Sequence, residues 1–263
     1  MLFRSFLAIA EEAGVMVPVT RWIIQRVCRL GAEWRQRLPE RGDLFISVNL
    51  SPAMLRSRDL PDHVAQALQD AQLPAASLKF ELSEAGLVSN VTAARVLLEA
   101  LHEMGIELML DDFGSGYSSL SYLQLFPFDY VKIDRPLVSR TGSERANFAI
   151  TSAILQMASN LGLCAVAEIV ETRAAAQTLL QMGCTLGQGY FFSPPVEAEE
   201  AFRQLKSGTA FLEREADETG VHAPLTGGGD ADDSPTLMLP AGMVLESRIT
   251  DEADALEKEH SDT

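Results

Sequence analysis

Short apolar segments alternate with amphipathic helical patterns from residue 44 onward. Six of these segments are rich in Val, Ile, Leu or Phe and are bounded by polar or turn residues, which predicts β-strands. The predicted strands are Leu44–Asn49, Leu78–Leu82, Glu107–Asp111, Tyr130–Ile133, Leu163–Glu168 and Leu186–Phe191. Amphipathic spacing predicts helices between and after them, at 61–72, 92–104, 118–125, 144–161, 172–182 and 197–206.

Six consecutive strand–helix units predict an α/β fold with a mainly parallel sheet and right-handed crossovers. Two helical segments precede the units, Phe6–Ala13 and Val19–Arg37. A closed barrel of eight units would need two more strands, and the residues before position 44 show no pattern that supplies them. The pattern therefore leaves two architectures open: a doubly wound open sheet, or a barrel whose first strands are missing.

The last part of the chain differs in composition from the rest. Residues 207–263 contain fourteen acidic residues against Arg214, Arg248 and Lys258. This composition predicts a disordered acidic tail over 207–263 that follows one domain over 1–206. The tail is interpreted as a solvated extension, and a functional role for it is left open.

Charge and composition exclude several classes of function. The net charge is −16 and no basic stripe is present, which argues against binding of duplex nucleic acid. The longest apolar runs are far shorter than the roughly 20 residues that a membrane span needs. Cys28, Cys164 and Cys184 lie in apolar surroundings without C-x-x-C spacing, so they are predicted to be buried free thiols. Together with the absence of a signal peptide, they predict a cytoplasmic location.

Polar residues occur near the carboxyl end of every predicted strand. They are Asn49, Glu81, Asp111, Asp112, Lys132, Asp134, Glu168, Glu171 and Gln188. The carboxyl ends of parallel strands meet at one edge of a sheet, where the active sites of α/β proteins form. Each residue also has a simpler explanation, since Asn49 could cap a helix and Lys132 could pair with Asp134. All of them being structural by coincidence is a much weaker explanation than a shared site.

The chemistry of these side chains favours hard divalent cations. Carboxylate and amide oxygens are the ligands that Mg²⁺ and Mn²⁺ prefer. The adjacent pair Asp111 and Asp112 could bridge two ions, and two ions about 4 Å apart favour in-line displacement at phosphorus. A nearby lysine such as Lys132 could orient the attacking water or stabilise the developing charge. An acidic chain that acts on an anionic substrate also needs metal ions to offset the repulsion.

Six motifs together are typical of one family. They are Ser47–Ser51, Glu81–Glu84, Asp111–Leu120, Val131–Arg135, Ala167–Thr172 and Gln188–Tyr190. In letters, order and spacing they resemble the EAL domain of bacterial cyclic di-GMP phosphodiesterases, over about residues 5–206. The resemblance implies a (β/α)8 TIM-like barrel with one antiparallel strand. It also implies hydrolysis of cyclic di-GMP to linear pGpG with two Mg²⁺ or Mn²⁺ ions as cofactors.

The resemblance further implies a role for individual residues. The implied metal ligands are Asn49, Glu81, Asp111, Asp112 and Glu168. Lys132 is implied to contact the attacking water and to form the catalytic pair with Glu168. Asp134, Glu171 and Gln188 are implied to contact substrate or support the ligands. Glu84 is implied to brace the 113–120 loop, which in the family couples the metal site to contacts of a homodimer.

Two departures from the family pattern stand out. In the family, a strand that carries Glu-Ala-Leu precedes the segment that here reads Phe6–Gly14, and its glutamate is a metal ligand. The barrel is therefore expected to lack about its first two strands, including the Glu-Ala-Leu segment. Ile169 stands where the family usually has glycine. If that turn needs the φ freedom of glycine, the β-branched side chain could misplace Glu171.

Three functions follow from these observations. The first is hydrolysis of cyclic di-GMP, which the retained ligand positions favour. The second is a catalytically inactive EAL-type module that binds cyclic di-GMP or a protein partner, which the missing glutamate favours. The third, which sets the resemblance aside, is a Mg²⁺ enzyme that removes a proton beside a carboxylate, with Lys132 and the acidic residues as its site.

Overall fold

The computed structural model describes residues 10, 13–42, 44–88, 91–113, 120–133 and 144–207. Its strands are β1 Ile46–Asn49, β2 Leu78–Ser83, β3 Glu107–Phe113, β4 Tyr130–Ile133, β5 Cys164–Ala167 and β6 Leu186–Gly187. Its helices are α1 Met16–Arg37, α2 Leu60–Ala71, α3 Glu84–Val88, α4 Val91–Glu103, α5 Leu120–Leu125, α6 Glu144–Asn160, α7 Arg173–Gln181 and α8 Ala198–Ser207. The predicted alternation of strands and helices is therefore confirmed.

The six strands form one sheet in the order β1-β2-β3-β4-β5-β6, and every neighbouring pair is parallel. In a doubly wound sheet the strand order reverses at a switch point. The order of the described strands does not reverse. This agrees with a barrel and excludes the doubly wound open sheet. The part of the chain that the structure describes contains six of the eight strands of a (β/α)8 barrel.

The two faces of the sheet are buried in different ways. On the outer face, alternate residues such as Val48, Phe80 and Leu110 pack against the helices in the largest apolar cluster. The inner face carries a smaller apolar cluster formed by Phe45, Met109, Tyr130, Val166 and Leu186. Side chains alternate between faces along a strand, so the residues two positions further along also point inward. The polar residues at the carboxyl ends of β1 to β5 therefore lie above this inner apolar layer.

Some predicted boundaries and burials differ from the structure. The sixth strand contains only Leu186–Gly187, because the backbone of the following turn is engaged elsewhere: Val170 N donates to Gln188 O and Phe191 N donates to Val170 O, each at 3.0 Å. Cys28 and Cys184 are buried as predicted, but Cys164 is exposed. Cys164 is the first residue of β5, at the rim of the sheet, so its neighbours do not enclose it.

Several predictions fall on residues outside the described part. They include most of the predicted helix Phe6–Ala13 and the acidic tail beyond residue 207. The division into a domain over 1–206 and a disordered tail over 207–263 stays a prediction. Within the described residues, no helix combines the length and the apolar character that crossing a bilayer requires.

Candidate metal centre

The centre of the site is the ammonium group of Lys132, which is 2% exposed on the inner face of β4. Its Nζ lies 2.6 Å from Glu81 Oε2, 2.8 Å from Glu168 Oε1 and 3.2 Å from Asp111 Oδ1. These carboxylates come from β2, from the residue after β5, and from β3. The sheet thus brings one cation and three anions together at its carboxyl edge. The sequence allowed a pair between Lys132 and Asp134, but Asp134 lies outside the described residues.

Glu81 is the most deeply buried of the three carboxylates, with 1% of its surface exposed. Ser47 Oγ donates a hydrogen bond to Glu81 Oε1, and Lys132 Nζ donates to Glu81 Oε2. Sequence reasoning did not single out Ser47. The signal was available, because Ser47 lies two residues before Asn49 on the same strand and therefore on the same face.

Burial and charge shift the pKa values of these groups. Burial raises the pKa of Glu81, against the opposing effect of Lys132. Burial also raises the pKa of Glu168 to about 7; Lys132 opposes this rise and the charge of Asp111 adds to it. For Lys132, burial works to lower the pKa, but Glu81, Glu168 and Asp111 together outweigh it and raise the pKa. Since one ammonium faces three carboxylates, the site has a surplus of negative charge that a cation would offset.

Asp111, Asp112 and Glu168 form a group with the geometry of a cation site. Each offers a carboxylate oxygen, and these oxygens lie within 4.8 Å of one another. Consecutive strand residues normally point to opposite faces. Here the φ angle of Asp112 is 58° and the β3–β4 register shifts between Leu110 and Phe113, so the alternation is broken. Aspartate tolerates this left-handed backbone conformation better than most residues do.

The other predicted residues lie around this group. Asn49 is opposite Glu81 in the β1–β2 register and is exposed. Glu171 is exposed in the turn before α7, and Glu84 is the first residue of α3. Gln188 follows β6, and its buried Oε1 has no hydrogen-bond partner among the described residues. Residues 114–119 of the predicted 113–120 loop lie outside the described part, so the bracing role of Glu84 stays a prediction.

The letters Glu-Ala-Leu do occur in the chain, at 99–101. They lie within helix α4, where Glu99 Oε1 is 3.2 Å from Arg95 Nε in an ion pair whose side chains are about half exposed. Glu99 is therefore a surface residue of a helix. It is not the strand glutamate that the family places among the metal ligands.

Ile169 adopts a backbone conformation that suits glycine. Its φ angle is 53° and its side chain is 42% exposed. For a residue with a Cβ atom, and above all a β-branched one, the left-handed region is strained by roughly 1–2 kcal/mol. The turn between Glu168 and Glu171 thus needs the φ freedom that the family glycine has.

We expect the substitution Ile169→Gly to stabilise the chain by about 1 kcal/mol, because it removes this strain and loses little packing. Urea unfolding measures the change. Val96→Gly is the matched control, since Val96 is also exposed but lies within α4, where glycine is less favourable than valine by roughly 0.3–0.5 kcal/mol. Loss of stability in both variants would contradict the strain at Ile169.

Comparisons with known proteins agree with this architecture. The EAL domain family matches residues 2–195. The chain is 36% identical over 197 residues to the signaling protein YkoW of Bacillus subtilis, covering 74% of this chain and 24% of YkoW. It is 36% identical over 196 residues to the bifunctional diguanylate cyclase/cyclic di-GMP phosphodiesterase MucR of Pseudomonas aeruginosa, covering 74% of this chain and 28% of MucR.

Solved structures give the same result. The PaMucR phosphodiesterase–c-di-GMP complex matches with a TM-score of 0.69 and 36% identity, over 75% of this chain and 79% of that chain. The EAL domain of Mycobacterium smegmatis DcpA matches with a TM-score of 0.65 and 35% identity, over 72% of this chain and 84% of that chain. The chain spans about a quarter of the length of the two curated relatives above, at 24% and 28%. On its sequence, its parallel barrel-type sheet and these matches, the chain belongs to the EAL domain family.

Proposed function

We propose that the chain hydrolyses cyclic di-GMP to linear pGpG at the carboxyl edge of its sheet, with two Mg²⁺ or Mn²⁺ ions. The observation that carries the proposal is the position of Lys132, buried between Glu81, Asp111 and Glu168. It supports hydrolysis because a buried ammonium beside a surplus of carboxylates can stabilise charge on a phosphoryl group once cations offset the carboxylates. The PaMucR phosphodiesterase, a related structure, is a complex with c-di-GMP.

The proposed ligands fit hard divalent cations. They are Asn49, Glu81, Asp111, Asp112 and Glu168, which offer only oxygen atoms. Support comes from the mutual distances of the Asp111, Asp112 and Glu168 oxygens, all within 4.8 Å. Bound cations would supply Lewis-acid activation of a water and charge stabilisation at phosphorus.

The remaining roles belong to side chains of the chain itself. Lys132 remains protonated, because its carboxylate neighbours hold its pKa above the ordinary value. Its Nζ therefore donates hydrogen bonds and orients the attacking water. Gln188 is proposed to contact substrate, since its buried Oε1 is an acceptor without a described donor. Glu171 and Asp134 are proposed to contact substrate or to hold the ligands in place.

Measurement of pGpG formation tests this proposal directly. With Mn²⁺ present, Asp111→Asn is expected to reduce the rate at least about 100-fold, because it removes a charged ligand and a partner of Lys132. Asp62→Asn is the matched control: Asp62 is exposed on α2, and its loss changes the net charge equally. Equal rates in both variants would refute the assignment of Asp111 to the site.

The second candidate function is a binding module without turnover. The observation that favours it is the strained backbone of Ile169, in the turn between Glu168 and Glu171. Titration calorimetry with cyclic di-GMP, followed by analysis of the recovered nucleotide, distinguishes the two functions. Recovery of intact cyclic di-GMP after tight binding in Mn²⁺ would support the module.

Further properties are proposed from the family membership alone. The chain is proposed to form a homodimer through the 113–120 loop and to act in the cytoplasm. Sedimentation of the wild-type chain at several concentrations, with and without cyclic di-GMP, tests the dimer.

A further inference from the structure

Ser47 is a buried hydroxyl whose position the resemblance leaves unexplained. It is 5% exposed on β1, opposite Lys79 in the β1–β2 register. Its Oγ nevertheless donates to Oε1 of Glu81, which lies two residues beyond Lys79 on β2. The hydroxyl therefore donates its hydrogen to a carboxylate on the neighbouring strand.

The carboxylate of Glu81 is held at both of its oxygen atoms. Oε1 accepts from Ser47 and Oε2 accepts from Lys132 at 2.6 Å. The two donors stand on different strands, β1 and β4, so rotation of the carboxylate would break at least one hydrogen bond. Each carboxylate oxygen has two lone-pair directions, so each keeps one acceptor site after these bonds are made.

The orientation of the Glu81 carboxylate matters because the side chain is buried and lies between other proposed ligands. With 1% exposure, the side chain has no water shell to replace a lost hydrogen bond. Two of the other proposed ligands lie on the strands on either side of β2: Asn49 is the last residue of β1, and Asp111 is near the carboxyl end of β3. A turn of the Glu81 carboxylate would therefore change its orientation relative to both neighbours.

We propose that Ser47 is a positioning residue that fixes the Glu81 carboxylate in the orientation in which it binds a divalent cation. This inference rests on the proposed metal site. Hydrogen bonds from outer groups orient metal ligands in general, and removal of such a group typically lowers metal affinity about 10- to 100-fold. Ser47 does not touch the cation or the substrate; it acts through Glu81.

Calorimetric titration of the full chain with Mn²⁺ tests the positioning role. Ser47→Ala is expected to weaken Mn²⁺ binding by about 10- to 100-fold, and Ser47→Thr, which keeps the hydroxyl, to bind within a few-fold of wild type. Ser77→Ala is the matched control, because Ser77 is an equally buried serine (4% exposed) in the short turn before β2, at the opposite end of that strand from the site. Ser77→Ala is expected to leave Mn²⁺ affinity unchanged, whatever its effect on stability.

A double-mutant cycle without metal tests the contact itself. Ser47→Ala and Glu81→Gln are expected to be coupled, so that the double variant loses a different amount of stability from the sum of the single variants. Ser77→Ala and Glu81→Gln are expected to be additive. If Ser47→Ala does not fold, Ser47→Cys replaces it, since the thiol fills the site with a weaker donor.

The outcomes separate the two proposals. Wild-type Mn²⁺ affinity in Ser47→Ala would overturn the positioning role while leaving the metal site intact. Failure of the wild-type chain to bind Mn²⁺ would overturn the metal site and the role of Ser47 with it. Weakened Mn²⁺ binding in Ser47→Ala, with recovery in Ser47→Thr and coupling to Glu81, supports the inference.

Discussion

Replacement of Lys132 by methionine is expected to lower the free energy of unfolding by about 3 kcal/mol, because it leaves buried carboxylates without their cation. The loss is concentrated on Glu81, whose side chain has no solvent exposure, and on Glu168. Under the proposed function, the same change reduces pGpG formation at least about 100-fold. Urea unfolding in EDTA measures the first effect and product chromatography in Mn²⁺ measures the second.

Lys79 provides a control of the same residue type and burial. It is 3% exposed on the inner face of β2, pairs with Glu107, and donates to the Tyr130 hydroxyl at 2.6 Å. It lies at the opposite end of the strand from the site, with its Nζ 3.9 Å from the centroid of the Phe45 ring. Lys79→Met is also expected to destabilise the chain, by about 2 kcal/mol, because the Glu107 partner is partly solvated.

The two lysine variants are expected to differ in their response to Mn²⁺. In Lys132→Met the added cation offsets part of the unpaired negative charge and restores part of the lost stability. In Lys79→Met, Mn²⁺ is expected to raise the stability by no more than it raises that of the wild-type chain. Equal responses in the two variants, or wild-type turnover in Lys132→Met, would contradict the place of Lys132 at the centre of the site.

Gly189→Ala is expected to be the most destabilising of the small substitutions, at about 3 kcal/mol or more. A Cβ atom at this position would lie 2.2 Å from Val170 O and 2.3 Å from Val170 N. The collision is with backbone, so no side-chain rotation relieves it. It would push apart the turn after β5, which carries Glu171, and the turn after β6, which carries Gln188.

Two other glycines calibrate this effect in thermal and urea unfolding. Gly42→Ala is expected to be neutral, because an added Cβ there meets no atom within 4 Å. A Cβ added at Gly187 would lie 2.8 Å from the Phe192 ring, which can shift. The loss of stability in Gly187→Ala is therefore expected to be larger than in Gly42→Ala and smaller than in Gly189→Ala. A neutral Gly189→Ala would show that the turns after β5 and β6 are not held together at Gly189.

Much of the barrel and part of the site could be predicted because their signals are local. Apolar segments such as Leu78–Leu82 and Tyr130–Ile133 are bounded by turn residues, and strand pattern depends on neighbours in sequence. The sixth strand was predicted too long because the hydrogen bonds that end it come from Val170, eighteen residues before Gln188. Cys164 was predicted to be buried because apolar sequence neighbours do not reveal that a residue lies at the rim of a sheet.

The sequence by itself determined the order of strands and helices, the edge at which polar residues collect, and the family to which the chain belongs. Only the tertiary structure decided which groups meet there. Lys132 pairs with Glu81 and Glu168, which stand 51 and 36 residues away in the chain, and Ser47 reaches Glu81 across the sheet. Periodicity is a property of neighbouring residues, whereas a contact between distant strands depends on register, backbone angles such as those of Asp112 and Ile169, and the burial that register creates.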